Sequence, residues 1–120
     1  MGKKGSKELL VSQKANDLAF WIYKISNEGA LSKDFRLRDQ LRRSAVGIPS
    51  NLAEGDERDT HKESIKFFHF AKGSLAELRT QLQIAYEIGY IKKGFFERID
   101  EECGQLGKMI GALIKARTHV

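Results

Sequence analysis

Residues 60–89 read THKESIKFFHFAKGSLAELRTQLQIAYEIG. The stretch holds no proline, and its apolar residues recur at helical rather than strand spacing. Thr60 stands where a helix N-cap belongs, with Glu63 three residues on as the second member of a capping box. Gly89 follows the last periodic residue, where a left-handed residue can stop a helix. The spacing predicts one helix from Thr60 to Ile88, on the order of 40 Å long at 1.5 Å per residue. Such a helix needs others of comparable length to lie against.

The flanking sequence supplies three. Val11, Ala15, Leu18, Ile22 and Ile25 form one face of a first helix from about Leu10 to Ser26, ended by Asn27, Glu28 and Gly29. Ser32 reads as the N-cap of a second helix with Leu37, Leu41, Ala45, Ile48 and Leu52 inward. Pro49 lies inside that pattern and predicts a kink or local break, because it removes one backbone hydrogen bond and crowds the Ala45 carbonyl. A fourth helix from Lys92 or Lys93 to Arg117 turns Ile99, Cys103, Leu106, Ile110 and Leu113 inward. Short connections force neighbours antiparallel. The fold class is therefore all-α, an up-down-up-down four-helix bundle over residues 9–117, preceded by a flexible basic tail over residues 1–8. The alternative is two longer hairpins that pair only on dimerisation.

Two adjacent stripes of the third helix are apolar. Phe67, Phe70, Ala71, Ser74, Leu78, Gln81, Ala85 and Ile88 form one; Ser64, Phe68, Leu75, Leu82 and Tyr86 form the other. Together they cover roughly 200° of the circumference, where about 100° serves a bundle helix. The excess predicts a homo-oligomer, with Phe20, Tyr23, Phe68, Leu75 and Tyr86 in the interface. The alternative is that these aromatics wrap the bundle edge. Gly104, Gly107 and Gly111 share one side of the fourth helix and predict close approach of another element, against the alternative of a frayed helix.

The chain has 120 residues, one domain's worth. Its 21 basic and 16 acidic side chains give +5, but Lys3, Lys4 and Lys7 supply three of those charges, so the chain after residue 7 carries only +2. Assembly would multiply that charge. No apolar run reaches the ~18 residues of a membrane span, and the basic start lacks the apolar segment of a signal peptide, so no membrane partner and a cytoplasmic location are expected. A single cysteine, Cys103, excludes an internal disulfide and a multi-cysteine metal site.

Catalytic constellations are missing. His61, His69 and His119 follow no glutamate at the Glu-x-x-His spacing of a di-iron bundle, and neither a zincin motif nor a phosphate-binding glycine loop occurs. The expectation is a non-enzyme with no metal and no cofactor. Basic groups remain: Arg36, Arg38, Arg42 and Arg43 on the second helix, and Lys62 and Lys66 on the third. They can neutralise phosphates without reading sequence. The alternative is a salt-bridged face, with Arg42 and Arg43 paired to Glu54 or Glu77.

The segment from Arg38 to Gly55, RDQLRRSAVGIPSNLAEG, closely resembles the QLRRAA-V-IPSNIAEG signature of a bacterial four-helix-bundle family, the 23S ribosomal RNA intervening-sequence proteins. A second matching stretch runs from Ala71 to Leu82, followed by Ile84 to Ile91. The resemblance covers about residues 9–116. It implies a homopentamer with a central channel. It also implies kinship with the accessory variability determinant of diversity-generating retroelements, a basic pentamer that binds nucleic acid and a reverse transcriptase. This chain departs from that accessory protein in being only mildly basic. Within the signature, Asn51 is expected to bond backbone freed at Pro49, and Glu54 with Gly55 to finish the helix. Ser74, Glu77 and Gln81 are expected to act as structural polar residues.

Overall fold

A computed structural model describes residues 6–118, and among them four α-helices and no strand. They are α1 (Ser6–Ser26), α2 (Phe35–Asp56), α3 (His61–Ile88) and α4 (Lys93–Thr118). The molecule measures 46 × 22 × 19 Å. That is one long helix in length and two helix diameters in each cross dimension. α2 packs on α3, α3 on α4, and α1 on both α2 and α4, the order an up-down-up-down bundle requires. Among the described residues no helix is long and apolar enough to cross a membrane. Residues 1–5 of the expected tail lie outside the described residues, while Lys7 and Glu8 stand in the first turn of α1.

The helix ends follow from local chemistry. Thr60 accepts from the Glu63 amide at 3.2 Å and caps α3. Gly89, at φ +99°, closes it, with its own amide bonded to the Tyr86 carbonyl and that of Tyr90 to Ala85. The start of α2 differs from expectation. Gly29–Lys33 forms a 3-10 turn that tucks Leu31 into the core, and Ser32 turns back to donate to the Gly29 carbonyl. Asp34 is the cap instead, its Oδ1 accepting from the Leu37 amide at 3.2 Å. α2 then continues through Pro49, so the local break does not occur. Asn51 Nδ2 donates to the Gly47 carbonyl at 2.8 Å, tying down the turn that holds the proline.

The inward stripes of α1, α2 and α4 are those the periodicity picks out, with Ile25 only half-buried. α3 is rotated from expectation. Phe68 is fully buried and Leu75 nearly so, while Phe70 and Ile88 are exposed. Phe68 and Leu75 therefore belong to the core of their own bundle and not to an exposed interface. The rotation has a visible cause. Gly55 leaves room for the Phe68 ring; a Cβ there would stand 2.5 Å from Phe68 Cε1. Ser64 Oγ donates to the Gly55 carbonyl at 2.7 Å in the same seam. Fully buried side chains such as Phe68, Ile22, Leu41 and Leu106 each contribute about 1.5–3 kcal/mol.

Small polar residues lie where helices meet. Ser44 Oγ donates to Gln81 Oε1 at 2.9 Å, joining α2 to α3, and Gly47 faces Ser74 across the same seam. Among the described residues no buried side-chain nitrogen or oxygen lacks a partner. The close approach expected along α4 holds at one glycine. Gly107 lies beside Leu75, whereas a Cβ on Gly104 or Gly111 would meet nothing within 4 Å.

Candidate nucleic-acid interface

Helical spacing sorts the four arginines of α2 into two rows. Arg38 and Arg42, four residues apart, lean toward α1; Arg36 and Arg43, seven apart, lean toward α3. The first row is tied down. Arg42 Nε donates to Ser26 Oγ at 2.8 Å, and its guanidinium sits 4.7 Å from the centroid of the Tyr23 ring. Arg38 bonds Asp39 at 3.0 Å and the Ser32 carbonyl at 3.2 Å, and lies 4.8 Å over Phe35. So Arg42 pairs with a serine and a ring, where a bundle carboxylate was the alternative. The second row is exposed, and neither Arg36 nor Arg43 makes an ion pair among the described residues.

Lys62 and Lys66 are exposed in the first turns of α3. Because α3 runs antiparallel to α2, they lie at the other end of the bundle, roughly 25 Å along the helix axis from Arg38. Their surroundings differ as well. Residues 24–43 hold six basic and three acidic side chains, whereas residues 54–66 hold three basic and five acidic. Arg58 there is engaged, paired with Glu54 at 2.5 Å and 4.4 Å over Phe67. Lys66 lies 5.9 Å over Phe70. The six basic candidates thus fall in two separate places, four within the net positive segment 24–43 and two within the net negative segment 54–66.

Of the residues expected at an interface between copies, Phe20 and Tyr23 are exposed on α1, beside the first arginine row. Tyr86 is half-buried and stacked on Phe96, with rings 4.6 Å apart and 6° from parallel. Among the structural polar residues, Asn51 and Gln81 make the bonds given above, Ser74 packs at the α2–α3 seam, and Glu54 pairs locally. Glu77 is exposed on α3, outside the core. The hydrogen bonds of Ser26, Ser44 and Ser64 are not legible in the sequence, because a lone serine in a helix gives no signal of what it meets.

Other chemistry is sparse. Among the described residues no group of His, Cys, Asp and Glu could hold a metal ion. Burial pushes the Cys103 thiol up to about 12. The Tyr90 hydroxyl donates to Asp34 Oδ2 at 2.9 Å, and that bond raises its pKa by favouring the protonated form. A groove of about 520 Å³ opens between α1 and α4 around Leu10, Trp21, Phe95 and Met109, and Lys14 pairs with Glu102 across it.

Comparison with known proteins agrees with this architecture. A solved protein of unknown function from the S23 ribosomal protein family of Bacteroides thetaiotaomicron VPI-5482 shares the fold, with a TM-score of 0.83 and 23% identity. The match covers 91% of this chain and 98% of that one. No curated protein sequence matches significantly. Residues 7–112 match the model of the 23S rRNA-intervening sequence protein family. With nearly the whole bundle inside that match, the chain belongs to the 23S rRNA-intervening sequence protein family.

Proposed function

We propose that this protein is a non-enzymatic homopentamer that binds RNA or DNA without reading sequence, through the basic half of α2. The observation that carries the reading is the local excess of basic over acidic side chains along residues 24–43. Six basic against three acidic side chains gather over residues 24–43, with Arg36 and Arg43 exposed and unpaired among the described residues. A basic segment of this kind attracts a polyanion by releasing its condensed counterions. Five copies multiply the mild charge of the chain after residue 7 to about +10, enough to matter for association. The pentamer itself comes from the family resemblance. Exposed Phe70, Ile84 and Ile88 support the need for a further apolar partner surface.

Gel-shift titration of a random-sequence nucleic acid at rising salt tests the reading. Affinity should fall steeply with salt and depend little on sequence. Arg36→Gln with Arg43→Gln should weaken binding several-fold and flatten the salt dependence. Absence of binding at low ionic strength would overturn it. The same exposed apolar residues of α3 favour a second reading, a scaffold for a protein such as a reverse transcriptase. In that case the glutamine variants leave partner association intact.

A further inference from the structure

Three large aromatic side chains stand in solvent in and beside the basic segment 24–43. Phe20 is 58% exposed, Tyr23 46% and Phe35 64%. Each has a cation over its ring: Lys24 at 5.5 Å, Arg42 at 4.7 Å and Arg38 at 4.8 Å from the respective centroids. Phe20 and Tyr23 are three residues apart on α1, and Phe35 and Arg42 seven apart on α2, so each pair shares a side of its helix. Arg42 brings the two helices together, since it touches Tyr23 and Ser26 of α1. The Arg42–Tyr23 pair is also held in place. Ser26 is fully buried, its hydroxyl donates to the Tyr23 carbonyl at 3.2 Å, and it accepts from Arg42 at 2.8 Å.

A surface of charge alone does not need rings. Phosphate neutralisation is strongest on a duplex, whose charge density is higher, and a duplex keeps its base faces inside the stack. Exposed aromatics gain nothing from it. An unpaired strand offers both a charged backbone and free base faces, and rings beside cations suit it because every base stacks. In a cell the strand left unpaired is chiefly RNA, whose loops and ends are recognised by stacking on aromatic rings and guanidinium planes. We infer that the α1–α2 face carrying Phe20, Tyr23 and Phe35 is a stacking platform for single-stranded RNA. Arg38, Arg42 and Lys24 hold the backbone beside it. This rests on the nucleic-acid reading above and specifies the strand.

The test uses the full chain with an unstructured RNA of about 20 nucleotides, longer than one stacking site needs, and with the duplex of the same sequence. The single strand should bind about tenfold tighter or more. Tyr23→Leu and Phe35→Leu keep apolar bulk without a π face, and each should lower single-strand affinity roughly tenfold while leaving duplex binding unchanged. Tyr23→Phe should restore it. Circular dichroism and solution mass of each variant check that fold and assembly are intact. Equal or tighter duplex binding, with the leucine variants silent, overturns the platform and leaves the nucleic-acid reading standing. Loss of assembly in Tyr23→Leu or Phe20→Leu shows the face to be a contact between copies and also overturns it. Binding of neither strand at low salt removes both readings.

Discussion

Gly55 shows how much one missing side chain can settle. It lies in α2 against the Phe68 ring, and a methyl group there would stand 2.5 Å from Phe68 Cε1 and 3.1 Å from the Ser64 carbonyl. Gly55→Ala should therefore cost about 1–3 kcal/mol of stability in urea unfolding, by overpacking. Phe68→Leu in the same background should return part of that loss, because the two sites touch and their effects do not add. Cys103 makes a second prediction. Its thiol is raised from 9.0 to about 12 by burial, so the folded form keeps a proton that the unfolded chain releases. Between about pH 9 and 12 the unfolded state binds fewer protons, and stability must fall as pH rises; below pH 9 the contribution is fully present. Cys103→Ala should flatten that alkaline decline in unfolding experiments at pH 8 to 10. Thiol-alkylating reagents should label Cys103 only as fast as the bundle opens.

Among the elements, α3 is both the most legible and the most misleading. Its ends follow from Thr60 and Gly89, which cap it as their types and places demand. Thr60→Ala should cost about 1 kcal/mol, and Gly89→Ala a similar amount because φ is +99° there. Both are measurable by thermal unfolding. Its rotation did not follow from the sequence. Two neighbouring stripes are apolar, and periodicity cannot say which one meets the core. The choice was made by partners on other helices: Gly55 opposite Phe68, Ser44 opposite Gln81, and Gly47 opposite Ser74. For α2, the proline predicted a kink or local break; the helix runs unbroken, and the turn around Pro49 is held by Asn51 and by packing on α1 and α3.

At the scale of the whole molecule, the seams are unequal. α2 and α3 pack most extensively, and α1 meets α4 least, across the groove beside Trp21. Lys14–Glu102 and Glu8–Arg117 tie α1 to α4, and Arg79–Asp100 ties α3 to α4. These pairs lie at the surface, exposed or half-exposed, and add only about 0–1 kcal/mol each. Hydrogen exchange should therefore show α1 amides opening more readily than those of α2 and α3. Tyr90–Asp34 joins the two turns at one end of the bundle and holds the start of α2 in register with the end of α3. Tyr90→Phe should loosen the amides around Leu31 and Leu37 more than those near Gly55. The same end carries the arginines and exposed rings, so loosening there should also weaken RNA binding.

The sequence alone determined four helices, their caps at Thr60 and Gly89, and the inward stripes of α1, α2 and α4. Each of these depends on spacing within a short segment. Only the tertiary structure decided that Phe68 faces inward, that Lys62 and Lys66 lie far from the α2 arginines, and that Arg42 rests on Tyr23. Those facts depend on residues from different helices meeting, and helical periodicity fixes a face about an axis without fixing what stands in front of it.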